Sequence, residues 1–203
     1  NDVVFDYTGY GLSKTSNNHG LIFSNDASKF FSMEQGCVSL VLTLPYDITN
    51  GIYTPLLSNT DDYNEYVLWG TNVGQYTTTQ PGLYAALTPD GIQFTIWTSK
   101  DKFTITDTST NINANTRALY EFVWDSNELD NYLLRTGIRI NNSFTVVGNP
   151  PISDDSIENI NLCILNTPYL NINYECKINQ LRIYNTVPYY IKDDLESSSS
   201  AGI

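Results

Sequence analysis

Cations are what this chain has least of. Ten Lys and Arg stand against 22 Asp and Glu, for a formal net charge of −12. Displacing the counterions of a phosphate backbone takes clustered cations, so nucleic acid is excluded as a partner and anionic membrane surfaces are disfavoured with it. No apolar run approaches the roughly 18 residues that a bilayer-crossing helix needs, so no membrane insertion is expected. The one histidine, His19, lies in the turn-like string Ser16-Asn17-Asn18-His19-Gly20, and no Gly-x-Ser-x-Gly elbow exists for it to serve. Gly9-Tyr10-Gly11 lacks the lysine and the following helix of a phosphate-binding loop. Cysteines number three, too few and too widely spaced for a disulfide scaffold or a zinc site. Cys37 and Cys163 sit in apolar runs and read as small buried hydrophobes, with a Cys163–Cys176 disulfide left open as a second reading. A signal-peptide pattern and an initiator Met are also missing. A chain starting at Asn1 suggests a mature, cleaved or excised product.

Helix formers are sparse too, and there is a single Met. In their place stand 15 Tyr, many β-branched residues, and abundant Asn, Thr, Ser and Asp. The first groups suit a pleated, half-buried surface, and the short polar residues favour turns. With 41% hydrophobic residues in 203, the chain can bury one substantial core.

Strand-like runs recur at Gly20–Ser24, Val38–Leu44, Gly51–Ser58, Tyr66–Gly70, Gly82–Leu87 and Gly91–Ser99. They continue at Phe103–Thr106, Ala118–Trp124, Tyr132–Ile140, Phe144–Val147, Ile160–Leu165 and Tyr174–Tyr184. Val38, Leu40, Leu42 and Leu44 share a face against Ser39 and Thr43. Ile92, Phe94 and Ile96 oppose Gln93, Thr95 and Trp97. Period-two alternation means that each strand covers a core on one side, so the expectation is all-β, two antiparallel sheets packed face to face. Thr88-Pro89-Asp90-Gly91 and Asn141-Asn142 supply tight turns between runs. Pro188 and the residues after it predict one or two helical turns, in which Tyr189 and Tyr190 pack the turn or meet a neighbouring subunit. Residues 1–196 are expected to form a single sandwich domain, and 197–203 a polar tail or linker.

The second half carries an ordered set of strings. Ala118-Leu119-Tyr120-Glu121-Phe122-Val123-Trp124-Asp125 is followed by Leu134–Ile140 running into Asn141-Asn142-Ser143, and Ile178-Asn179-Gln180-Leu181-Arg182-Ile183-Tyr184-Asn185 closes the series. This order resembles laminin-G-like (concanavalin A-like) jelly-roll domains, over roughly residues 90–190. The resemblance implies two curved sheets of six or seven strands, a concave face, and a closing strand that returns beside the N-terminal one. Members of that family bind glycans, proteins or calcium, decorate surface or phage structural proteins, or in a minority hydrolyse polysaccharides, and fold alone does not choose among these.

Hydrolysis on this fold uses a Glu-x-Asp-x-x-Glu string, because cleavage needs paired carboxylates. The nearest string, Glu128-Leu129-Asp130, lacks the third acid, and Glu121 sits alone on its strand. A polysaccharide-active hydrolase is disfavoured and the chain is read as a non-enzyme. Asp61, Asp62, Asn64 and Glu65 form an oxygen cluster suited to Ca²⁺, and Asp154 with Asp155 a weaker one, though neither has EF-hand spacing. Sugar rings stack on flat aromatic faces, which makes Trp97, Tyr84, Trp69 and Tyr76 the candidate ligand-binding residues. The resemblance would put Trp97 on the concave surface, with core and surface placements both open. For Trp69 and Trp124 the plain alternative is core. Asn141-Asn142-Ser143 also matches a glycosylation sequon, which matters only in a eukaryotic secretory setting. The leading expectation is an extracellular, cell-surface or virion module that recognises a glycan or receptor. The alternative is a structural decoration protein of a phage or virus particle, contacting neighbouring virion or surface proteins and able to oligomerise.

Overall fold

The computed structural model describes residues 3–6, 11–14, 21–23, 32–58, 65–71, 81–99, 101–125, 135–148, 162–165 and 176–200. In chain order the strands are β1 (Val3–Asp6), β2 (Gly11–Lys14), β3 (Leu21–Phe23), β4 (Gln35–Thr43), β5 (Ile48–Thr49) and β6 (Ile52–Tyr53). Then come β7 (Tyr66–Thr71), β8 (Gly82–Thr88), β9 (Gly91–Trp97), β10 (Lys102–Asp107) and β11 (Arg117–Asp125). β12 (Arg135–Ile140), β13 (Ser143–Gly148), β14 (Leu162–Ile164) and β15 (Cys176–Tyr184) follow, and helix α1 (Tyr189–Ser200) closes the series. One sheet has seven strands in the order β1-β2-β15-β4-β11-β12-β13, the other six in the order β10-β9-β8-β7-β14-β3, and every pairing is antiparallel. The all-β, two-sheet expectation holds, and the closing strand β15 does return to the N-terminal β2.

Alternation explains how the sheets meet. Val38, Leu40 and Leu42 of β4 face the same interior as Tyr120, Phe122 and Trp124 of β11, and the six-stranded sheet sends in Leu83, Ala85, Leu87, Ile92, Phe94 and Ile96. At the centre Trp69 stacks on Trp124 at 6.1 Å and lies 5.8 Å from Phe94 and 6.0 Å from Phe122. Each such fully buried side chain contributes about 1.5–3 kcal/mol, so this cluster dominates the stability of the sandwich. A bulge between Val67 and Trp69 lets Leu68 and Trp69 both enter the core from β7.

The turns follow their chemistry. Thr88 pairs with Gly91 across Pro89-Asp90, with Gly91 at φ 136°. Asn141 and Asn142 both take left-handed φ, 48° and 70°, as a two-residue type I′ hairpin requires. Gly51 (φ 78°) and Gly91 press on the same group: a Cβ on either would come within 2.0 Å or 2.3 Å of the Asp107 carbonyl oxygen. Asp107 itself is buried and accepts from the Ser109 amide and hydroxyl, both at 2.8 Å, and from the Thr110 amide and hydroxyl. Burial pushes its carboxyl up, but the donors from Thr110, Ser109 and Thr145 outweigh this and hold it below the ordinary range.

Several expectations are corrected. The run 51–58 is a strand only at Ile52–Tyr53. It then tightens into a 3-10 turn over Thr54–Ser58, because Pro55 cannot donate to a ladder and Thr54 bonds back to the Asp47 carbonyl. The helix after Pro188 runs 12 residues, Tyr189–Ser200, rather than one or two turns. All three cysteines are buried thiols, with Cys163 and Cys176 on strands of different sheets, so the bridge weighed between them is not formed. Nor is one face of each strand simply wet. On β4 the outward Cys37, Ser39 and Val41 are buried, and on the other sheet so are Val67, Tyr84 and Ala86.

Helix α1 covers part of the seven-stranded sheet's outer face. Ile191 and Val187 pack on Cys37 and Val123, with Phe144 and Tyr184 at the rim. Glu121, the acid standing alone on its strand, is 1% exposed and held by Arg139 at 2.6 Å and the Tyr190 hydroxyl at 3.0 Å. Strand pairing explains the encounter, since Glu121 lies opposite Arg139. The second guanidinium nitrogen of Arg139 reaches Asp194 at 2.6 Å. Burial lowers the Arg139 pKa, but the Glu121 and Asp194 carboxylates outweigh it and raise it overall. Burial and then Glu121 push both the Cys37 thiol and the Tyr190 phenol well above their ordinary values.

Candidate ligand-binding face

The outer face of the six-stranded sheet changes character across its width. Over β7, β8 and the middle of β9, where Thr95 is buried, it is closed, but over β10 and around Gln93 and Trp97 it opens. Gln93, Trp97 and Thr106 are half-buried there, and Lys102 and Thr104 are exposed. The register fixes the neighbours: Trp97 opposes Lys102, Thr95 opposes Thr104, and Gln93 opposes Thr106.

Trp97 is the aromatic element of this face. Its ring packs on buried Tyr84 at 5.6 Å with the planes tilted by 53°, which fixes its orientation from beneath. The Lys102 ammonium lies 5.3 Å from the ring centroid on the neighbouring strand. Thr95 and Thr104 share a hydroxyl–hydroxyl hydrogen bond at 2.9 Å beside it. The arrangement combines a braced ring, a cation and a row of hydroxyl and amide groups. Such a surface stacks on an apolar ring face and satisfies polar groups around it.

Of the four aromatic candidates, the fold brings Trp97 and Tyr84 together on this face, with Tyr84 acting as support because it is itself 3% exposed. Trp69 is corrected: at 0% exposure, inside the aromatic core on the opposite side of its sheet, it has no face to offer a ligand. Tyr76 lies outside the described residues, as do Asp61, Asp62 and Asn64. Glu65 is described, half-buried, just before β7. Asp154, Asp155, His19, Glu128 and Asp130 likewise lie outside them. The Asn141-Asn142-Ser143 sequon falls on an exposed hairpin tip, where the Asn141 side-chain oxygen accepts from the Leu119 amide at 2.9 Å. Tyr189 is 80% exposed on α1, while Tyr190 turns back to Glu121.

Sequence reasoning did not single out Lys102 or Thr104. Their signal was present in the Thr98–Asp101 turn, where the Asp101 amide bonds the Thr98 hydroxyl at 2.8 Å and sets Lys102 opposite Trp97.

No protein-family model and no curated protein matches the chain. Solved structures do. The binding domain of botulinum neurotoxin serotype G superposes with a TM-score of 0.63 at 15% identity, over 99% of this chain and 45% of that one. The chain shares the fold of toxin binding domains. The binding domain of Paraclostridial Mosquitocidal Protein 1 gives 0.64 at 14% identity, over 98% and 46%. A botulinum neurotoxin type C structure, from a toxin whose cell entry depends on interaction with two ganglioside molecules, gives 0.59 at 10% identity, over 97% and 44%. The chain thus spans less than half the length of the structures it matches.

Proposed function

We propose that this chain is a non-enzymatic binding module, recognising a glycan or a glycan-bearing receptor outside the cell, and that the β9–β10 outer face is its ligand site. Trp97 carries the reading. It is the half-exposed indole of the described residues, it is braced by Tyr84, and it is flanked by Lys102 and Thr104. The shared fold supports this: the matched structures are binding domains, and one belongs to a toxin that engages gangliosides. Because the chain spans less than half of each, we read it as one module of a larger binding unit. Kinship with the laminin-G and concanavalin jelly rolls belongs to the same proposal, supported by the two-sheet layout and the β15–β2 pairing.

A glycan array probed with the wild-type chain and with Trp97→Ala tests the reading. Binding to one glycan class, lost at least tenfold in the variant while its thermal unfolding is preserved, is the expected result. An array with no bound glycan, or binding indifferent to Trp97, would sink it.

A further inference from the structure

We infer that the ligand is an elongated glycan of about three rings or more, lying unbranched along β10, an assignment that rests on the binding reading above. β10 ends the six-stranded sheet and, among the described residues, pairs with β9 alone. The Thr98 amide donates to the Asp101 carbonyl at 2.8 Å, which makes these two a hydrogen-bonded pair. Such pairs recur at every second position of an antiparallel ladder. Phe103, Ile105 and Asp107 therefore bond β9, and Lys102, Thr104 and Thr106 turn their N–H and C=O groups out of the sheet. No described residue bonds those outward groups.

The same three residues carry the outer-face side chains beside Trp97 and Gln93. Donors, acceptors and hydroxyls thus line one corner of the sheet. They repeat every two residues over about 14 Å, room for about three sugar rings end to end. The register of β10 runs unbroken, so the strip is straight, whereas β13, which ends the other sheet, is interrupted by a bulge. Sugar hydroxyls both donate and accept, which matches a row of alternating backbone groups. The face is already closed over Val67, Tyr84 and Ala86, so a branch directed toward β8 has no space. Lys102 is exposed and shifts off the Trp97 ring when a sugar stacks there, leaving its ammonium to donate to a hydroxyl.

The test is an affinity series on linear β-1,4-glucan, chitin and poly-N-acetyllactosamine probes of one, three and five residues. Wild type is compared with Thr104→Val, which removes an exposed hydroxyl but keeps strand preference, and with Thr104→Pro, which removes one outward N–H. One probe series is expected to gain at least tenfold in affinity from one to three residues and little from three to five, with both variants losing most of that gain. Equal affinity for the single sugar and the longer probes, or a preference for branched glycans, overturns the assignment and leaves the binding reading standing. Capture of an extended peptide, blocked by Thr104→Pro while no probe binds, overturns both.

Discussion

Replacing Arg139 with Met should destabilise the sandwich far more than its position near the surface suggests. The guanidinium side chain is 5% exposed, and its partner Glu121 only 1%. Methionine fills similar volume but leaves the Glu121 carboxylate buried with only the Tyr190 hydroxyl to satisfy it. Breaking one side of a buried ion pair costs about 3–5 kcal/mol, because the remaining charge keeps its desolvation penalty. For a chain of this size that lowers Tm by about 6–20 °C. Asp194 is 49% exposed, so Asp194→Ala should cost no more than about 1 kcal/mol. The double variant Arg139→Met/Glu121→Leu should recover most of the loss, since no buried charge is left. Urea unfolding of wild type, Arg139→Met, Glu121→Leu and the double variant closes a double-mutant cycle. An Arg139→Met loss below about 1 kcal/mol, or strictly additive losses at Arg139 and Glu121, would refute the reasoning.

Other perturbations probe the backbone and a second buried acid, Asp107. Gly91→Ala would push a Cβ to 2.3 Å from the Asp107 carbonyl, at φ 136°, and should lower the urea midpoint by the equivalent of about 1–3 kcal/mol. Asn142→Val, a β-branched residue at φ 70°, should cost about 1–2 kcal/mol in the same assay. Asp107→Ala orphans the Ser109 and Thr110 donors, for a loss of about 1–3 kcal/mol near neutral pH. Because the folded pKa of Asp107 is depressed, its contribution is present above the unfolded carboxylate value of about 3.9 and is lost as pH falls through the folded one. The gap between wild type and Asp107→Ala, followed by pH-dependent denaturation, should therefore narrow only below about pH 4.

Much of the fold was legible because alternation and turn chemistry are local. Val38–Leu42 and Ile92–Ile96 declare their inner faces by period two, and Pro89-Asp90-Gly91 and Asn141-Asn142 declare their hairpins by the φ values they permit. Long-range covering was not legible. Nothing in the string around Tyr84 shows that its strand is closed on both faces, and nothing near Glu121 announces Arg139, 18 positions away, or Tyr190, 69 away. Trp69 and Trp97 look alike in sequence. The bulge that turns Trp69 inward and the place of Trp97 at the end of β9, beside the edge strand β10, come from pairing, not composition. Short strands such as Gly11–Lys14 carry too few apolar residues to show a period, and that one exists because β15 pairs with it.

The central claim, that Trp97 is the ligand-contacting aromatic, meets its most direct test in the indole N–H region of a ¹⁵N–¹H correlation spectrum. The chain has three tryptophans, and Trp69 and Trp124 are buried at 0% and 1% exposure, so Trp97→Ala assigns the third signal by its absence. On titration with a linear chitin or β-1,4-glucan pentasaccharide, or with whichever glycan the array selects, the Trp97 indole should shift saturably while the other two stay in place. A bound glycan that leaves Trp97 unmoved would contradict the account.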